Sequence, residues 1–391
     1  MKILFVSAVL PYPLQSGGQI RMYNLLSRLA KHHEITLVSF IRNEDERQYL
    51  PALNFCKEVH LILRGKAWQP KYLLSTIFGK FSFLLTTYKN PLMRQKIRDL
   101  LVQTEFDAVH IEPFYVWPSL PTLPMPLIIS EHNIEHEVYG QYVKRFSLAF
   151  LRPFLWIDVI KLAYWEGYIW RKAKAITAVS IDDATQIEKI IQTKISVVPN
   201  GVDSGHFVYR TKHLEHKAPH LLFVGDFRWF PNTDALHVLL DDIWPLVQKA
   251  YIGAELRIVG RHLSSRLKNQ ITRVGGQVAE NVSDISVEYR NADILVAPHG
   301  ISGGTKFKML EAMSSGLPIV TTSAGAAGLD LVPNKHYLLA ESVSDFVKHI
   351  DILWENKTRN TQIARAARAH VEKNFTWDAI AKKLDTVWKN I

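Results

Sequence analysis

The densest run of chemistry-bearing residues is Pro298-His-Gly-Ile-Ser-Gly-Gly-Thr-Lys-Phe-Lys-Met-Leu-Glu311, followed by Ala-Met-Ser-Ser-Gly-Leu-Pro318. It trails the apolar stretch Ile294-Leu-Val-Ala297, and its glycines lead into a helical pattern. A glycine-rich turn ahead of a helix offers backbone N–H groups and a partial positive charge, which together suit a phosphate. Lys306 and Lys308 add cationic heads beside that turn. Glu311, one to two turns into the helix, can accept a pair of hydroxyl hydrogen bonds from a ribose. A tight strand–helix connection with two surface lysines would explain the glycines alone. With Lys308, Glu311 and Gly316-Leu-Pro318 at these spacings, ligand binding is the better reading.

A second cluster, Ser130-Glu-His-Asn-Ile-Glu135, follows another strand pattern. A lone histidine is often structural, but a position just after a strand favours contact with a ligand, and His132 has that position. Glu131, Asn133 and Glu135 alternate in direction and are assigned to an acceptor. Arg21, just past Ser16-Gly17-Gly18, is either a phosphate contact or part of a solvated helix face. Metal chemistry finds little support. No His-x-x-x-His pair stands beside a carboxylate and no Asp-x-Asp follows a strand. Asp182-Asp183 reads as the acidic start of a helix after Ser180, and the single cysteine, Cys56, excludes a multi-cysteine centre. No metal is expected.

The elements that must position these residues alternate in kind. Lys2-Ile-Leu-Phe-Val-Ser7 reads as a buried strand, Ile20, Tyr23, Leu26 and Leu29 recur at helical spacing, and Glu34–Phe40 is a second strand. This βαβ opening predicts a parallel sheet. Further strands are expected at 59–63, 108–111, 127–130, 175–179 and 195–198. After the Asn200-Gly201 turn and an aperiodic basic stretch, His220-Leu-Leu-Phe-Val-Gly225 restarts the pattern. Strands at 256–259, 293–297 and 318–321 follow, with helices at 235–247, 306–314 and 342–354. With 391 residues and 47% hydrophobic content, the chain is predicted to form two doubly wound, Rossmann-like α/β domains facing across a cleft.

The motifs resemble the family 4 glycosyltransferases of the GT-B fold, in a bacterial sub-branch with a Gly-Gly-Thr-x-x-Lys-x-x-Glu donor loop. Ser16-Gly17-Gly18, Val198-Pro-Asn-Gly-Val-Asp203, Phe223-Val-Gly225, Asp226-Phe-Arg-Trp-Phe-Pro-Asn232, Gly303–Glu311 and Phe375-Thr-Trp377 carry the resemblance. It implies an acceptor-side domain over 1–203, a nucleotide-sugar domain over 204–371, and a helix over 372–391 crossing back to the first. Gly17, Gly18, Gly303, Gly304, Thr305, Lys306 and Glu311 would bind the donor, and His132, Arg228 and Lys308 would act on it. The family's usual pair of glutamates eight positions apart is broken, because Gly303 holds the first place. Sugar contacts would then fall to backbone amides there.

The implied reaction moves a sugar from a UDP- or GDP-linked donor to a hydroxyl, with retention and without a cofactor. Negative charge on the leaving phosphate would be met by Arg228, Lys308 and the glycine amides. A nucleotide-sugar epimerase or hydrolase on the same fold is the alternative. A nicotinamide enzyme is disfavoured, since Ser16-Gly-Gly-Gln-Ile-Arg21 is not Gly-x-Gly-x-x-Gly.

The net charge of +10 is uneven: Lys57–Arg98 holds nine basic residues against one acidic. Nucleic acid is not expected, for no recognition signature accompanies the charge. In Tyr72–Tyr88, the residues Leu73, Ile77, Phe81, Leu84 and Tyr88 are predicted on one helical face, ringed by Lys66, Lys71, Lys80 and Lys89. In Phe146–Arg171, Phe150, Phe154, Trp156, Tyr164, Tyr168 and Trp170 interleave with basic residues. Packing on the sheet is the better reading for Phe146–Arg171, whereas the charge around Tyr72–Tyr88 favours an anionic membrane surface, and a lipid-linked saccharide acceptor of surface polysaccharide synthesis would follow. The expected location is cytoplasmic, peripheral on the inner face of the plasma membrane.

Overall fold

Strands covered by helices on both faces must be apolar almost throughout, and Lys2–Ser7 is buried from Ile3 onward. The computed structural model describes residues 1–66, 68–210, 216–300 and 307–391, apart from the Arg145 side chain. These form two units, Met1–Pro199 with Ile380–Ile391, and Asn200–Ala379. The expected limits lay at 203/204 and 371/372, four residues after and eight residues before these.

The first unit holds β1 (Lys2–Ser7), β2 (Glu34–Ile41), β3 (Glu58–Leu63), β4 (Ala108–Glu112), β5 (Leu127–Glu131), β6 (Ala175–Ala178) and β7 (Ser196–Val197). Their order is β3-β2-β1-β4-β5-β6-β7, and every pairing is parallel. The order reverses between β1 and β4, and ligands of such sheets gather at the carboxyl ends beside that switch. The second unit contributes β8 (His220–Asp226), β9 (Glu255–Arg261), β10 (Gln277–Glu280), β11 (Ile294–Ala297), β12 (Ile319–Thr321) and β13 (Leu338–Leu339). Its order, β10-β9-β8-β11-β12-β13, reverses between β8 and β11. Both units are doubly wound α/β, as the alternation predicted.

Three local readings are corrected. Tyr72–Tyr88 is not one helix: helices span Pro70–Phe78 and Phe83–Thr87, with Gly79 extended between them. A Cβ on Gly79 would lie 2.2 Å from the Ser75 carbonyl oxygen, so this break depends on glycine. Leu73 and Ile77 stay exposed, whereas Phe81 and Leu84 pack on the core and Tyr88 is buried in it. The helix expected at 235–247 is interrupted by a wider turn at Leu239–Ile243, before the helix Trp244–Ala250. Pro245 has no N–H to continue the ladder, while Leu239, Leu240, Ile243 and Trp244 keep the face buried. In Phe146–Arg171 the aromatics divide, Phe150, Phe154 and Tyr164 facing outward and Trp170 entering the core.

Candidate active site

In the first unit the loop after β1 ends at Ser16, whose hydroxyl accepts the Gln19 N–H at 3.4 Å and starts the helix Gly17–Leu29. His132, the residue after β5, lies against this helix start. A Cβ on Gly18 would stand 3.1 Å from Cε1 and 3.2 Å from Nδ1 of the His132 ring. A larger residue would push the ring back by a few tenths of an ångström, so Gly18 and His132 are close neighbours.

The other edge of the ring is held from below. His132 Nε2 lies 2.5 Å from Oε1 of Glu112, the last residue of β4. Arg21 Nε donates to the same oxygen at 3.2 Å, and its Nη1 donates to the Pro199 carbonyl at 2.9 Å. Both Arg21 and Glu112 are fully buried. Neither sequence reading of Arg21 survives: it is no solvated face, and it has no surface to give a phosphate. Burial opposes charge on Glu112, but the His132 hydrogen bond and the His132, Arg21 and His110 charges outweigh it, holding the carboxyl below its ordinary range.

A further buried chain supports this floor. Trp388 Nε1–H, which can only donate, reaches His110 Nδ1 at 2.8 Å. The His110 proton therefore sits on Nε2 and is given to Ser130 Oγ at 2.9 Å, beside Thr177 Oγ1 at 2.7 Å. Burial pushes His110 down to about 4, so this ring is neutral. His110 Nε2 lies 3.9 Å from Glu112 Oε2.

The acceptor assignment splits. Glu131 is buried, accepts Trp170 Nε1–H at 2.7 Å and cannot face a substrate. Burial and the neighbouring Glu166 raise it well above the carboxylate range. Asn133 and Glu135 are partly exposed. Burial, and then Glu166, lift Glu135 to about 7. Glu166 accepts the N–H groups of Glu135 and His136 at 2.8 and 3.2 Å, which closes the start of the helix Glu135–Arg145.

In the second unit Lys308 lies on the helix Phe307–Ser315, which follows β11. Its ammonium donates to Asn232 Oδ1 at 2.7 Å and His299 Nε2 at 3.1 Å, and stands 5.2 Å from the Phe223 ring centroid. Asn232 also donates to the Asp226 carbonyl at 2.8 Å. Lys308 is thus a cation fixed at the switch between β8 and β11. Arg228 is mostly exposed and turned onto Asp226, with Nη2 at 2.7 Å and Nε at 3.2 Å from its carboxylate.

One turn after Lys308, Glu311 accepts the hydroxyl of buried Tyr289 at 2.8 Å. Burial lifts Glu311 to about 7, while Tyr289, His206 and Lys308 pull it back. Gly303, Gly304, Thr305 and Lys306 lie outside the described residues. Sequence reasoning missed Glu112, His299 and Tyr289. Glu112 had a signal close to that of His132, a polar residue at the carboxyl end of an apolar strand. Among the described residues no group of three or more His, Cys, Asp or Glu could hold a metal, and no helix is long and apolar enough to cross a membrane.

Residues 15–206 match the family described as Glycosyltransferase Family 4, and residues 218–356 match Glycosyl transferases group 1. An uncharacterised 44.6 kDa protein from the cps region of Klebsiella pneumoniae is 24% identical over 389 residues, 96% of either chain. A phosphatidyl-myo-inositol mannosyltransferase of Mycobacterium leprae is 24% identical over 322 residues, 77% of this chain and 78% of its own. Anabaena HepE, solved with UDP and glucose, shares the fold with a TM-score of 0.68 at 16% identity, covering 100% of both chains. With two parallel doubly wound sheets and glycosyltransferase matches across both units, the chain is a glycosyltransferase of the GT-B fold, carrying a family 4 domain over residues 15–206.

Proposed function

We propose that the enzyme moves a sugar from a UDP- or GDP-linked donor to the hydroxyl of a lipid-linked saccharide, with retention and without a metal ion. The observation that carries this reading is the pairing of Lys308 and Glu311 on one helix at the switch of the second sheet. A cation already held by Asn232 and His299 needs no reorganisation to meet charge growing on the leaving diphosphate. Glu311 would take the ribose hydroxyls, and Gly303, Gly304, Thr305 and Lys306 the phosphates. Arg228 joins them only by leaving Asp226. In the first unit the amides of Gly17 and Gly18 and the His132 ring are assigned to sugar binding. Attack on the same face as departure, with the leaving phosphate taking the acceptor proton, gives retention. HepE binds UDP and glucose, which supports the donor class.

The acceptor is assigned to an anionic membrane surface. The helices Pro70–Phe78 and Arg152–Trp170 expose Leu74, Ile77, Phe78, Phe154, Ile157 and Ile160, with Phe78 85% accessible. Lys161 Nζ joins the two helices by donating to the carbonyls of Thr76 and Gly79 at 2.7 and 2.9 Å. Exposed Lys66, Lys71, Lys80 and Lys89 surround this apolar surface, the combination that favours headgroup and acyl boundary together. The mannosyltransferase relative is named for a phosphatidylinositol substrate, and the Klebsiella relative for a cps region.

The test is incubation with UDP- and GDP-sugars, with and without lipid extracts carrying saccharide acceptors. Sugar transferred only when acceptor is present supports the reading. Donor epimerised or hydrolysed at the same rate without acceptor would replace it with the epimerase or hydrolase alternative.

A further inference from the structure

Beside the exposed apolar surface of the first unit lies a cavity of about 430 Å³, lined by Lys71, Tyr72, Ser75, Gly79, Lys80, Phe81, Thr86 and Lys89. We propose that this cavity binds the phosphate of an anionic lipid headgroup, held by Lys71, Lys80 and Lys89. The proposal rests on the membrane-docking part of the proposed function and adds a discrete headgroup site to it.

The cavity's chemistry is one-sided. Lys71, Lys80 and Lys89 line it together with Ser75 and Thr86, and no acidic residue does. The ammonium groups are placed by aromatic rings rather than by carboxylates. Lys80 Nζ lies 5.3 Å from the Phe81 ring centroid and 5.4 Å from that of Trp165, and Lys89 Nζ approaches Phe81 from 6.0 Å. Lys71 Nζ lies 4.9 Å from the Tyr72 ring centroid. A ring attracts a cation without neutralising it, so the charge stays available to a ligand.

Nearby carbonyls that could have favoured a cation are already engaged. Thr76 and Gly79 accept from Lys161, and Lys80 accepts from Trp165 Nε1–H at 2.8 Å. What remains is a set of donors around a space large enough for a phosphate and its ester oxygens. The break at Gly79 creates this space by turning the chain between the helices Pro70–Phe78 and Phe83–Thr87. Leu74, Ile77 and Phe78, exposed on the first of these helices, offer acyl chains an adjoining apolar surface. A free phosphate would use only the lysines, whereas a lipid would use both.

The experiment compares dihexanoyl phosphatidic acid, a soluble short-chain lipid, with inorganic phosphate by calorimetry on the full chain. The wild type is expected to bind the lipid about tenfold or more tightly than inorganic phosphate. The triple variant K71Q/K80Q/K89Q should lose about tenfold or more of that affinity. A control triple of exposed lysines elsewhere in the unit, K174Q/K189Q/K194Q, removes the same charge and should keep it. Near-ultraviolet circular dichroism, to which buried Trp165 and Trp170 of the first unit contribute, reports that each variant is folded.

Equal binding of phosphate and lipid would overturn the headgroup in favour of a free-anion site. Equal loss in both triples would overturn the cavity in favour of diffuse charge, and absence of any lipid binding by the wild type would overturn it outright. Flotation with anionic vesicles separates this inference from the reading beneath it. If the pocket triple still floats like the wild type, docking stands and the site falls; if the wild type does not float, docking falls as well.

Discussion

Glu311→Gln gives a sharp test of the proposed nucleotide site, because its effect on stability must change with pH. The carboxyl ionises near 4.5 when unfolded and at about 7 in the folded chain. A group whose folded value is raised stabilises the folded state fully at low pH, and that contribution is lost as pH rises through the folded value. Between pH 4 and pH 8 the loss has an upper limit of about 3 kcal/mol, set below full burial by partial solvent access. Glutamine never ionises, yet its amide oxygen can still accept the Tyr289 hydroxyl. The variant should therefore melt close to the wild type near pH 5 and above it at pH 8. For a unit of this size the gain amounts to at most about 6–12 °C. Other shifted carboxyls, such as Glu131 and Glu135, are common to both chains and cancel in the difference. The assay is thermal unfolding of both proteins across this pH range, without nucleotide. Nucleotide affinity gives the reverse pattern, because a ribose diol favours the ionised carboxylate. Wild-type affinity should rise from pH 6 to pH 8, and that of Glu311→Gln should stay low and flat. A melting difference that is constant with pH would refute the placement of a raised carboxyl at this site.

Glu112→Gln leaves the Arg21 charge buried without its partner and should cost about 3–5 kcal/mol, while the double replacement Arg21→Met with Glu112→Leu should cost less than the single change; denaturant unfolding of the three variants checks the order. Lys308→Met keeps an apolar stem over Phe223 but removes the ammonium, so nucleoside diphosphate affinity should fall about tenfold or more while nucleoside affinity changes little, by calorimetry. Arg228→Ala should weaken diphosphate binding less than Lys308→Met, because Arg228 is engaged by Asp226. Sugar transfer should persist in excess EDTA, and loss of activity restored by a divalent ion would contradict the metal-free reading.

The strands were legible because a parallel sheet covered on both faces demands short apolar runs, and Lys2–Ser7, His220–Asp226 and Ile294–Ala297 supply them. Gln277–Glu280 was not legible, since an edge strand with two polar ends shows no apolar run. Lys308 and Glu311 could be read from their spacing on one helix, a local relation. Arg21 with Glu112 could not, because their partnership crosses 91 positions and exists only once β1 and β4 lie side by side. An arginine in the second turn of a helix looks exposed until the neighbouring strand is known to end in a buried acid. The Tyr72–Tyr88 stripe failed for a local reason: Gly79 was present as a breaker, and periodicity was counted across it.

The first unit is not one continuous stretch of chain: Ile380–Ile391 joins it after Asn200–Ala379 has intervened. During synthesis, residues 1–199 therefore emerge without the indole that fills their core beside His110. Domains generally fold as units while the ribosome is still at work, but here the earlier unit must wait for the later one to be translated. Until Trp388 arrives, a buried imidazole lacks its donor only a short step from the floor beneath His132. Trp388 thereby ties completion of the first unit to translation of the second, and its loss would leave a buried histidine 278 positions away without its donor.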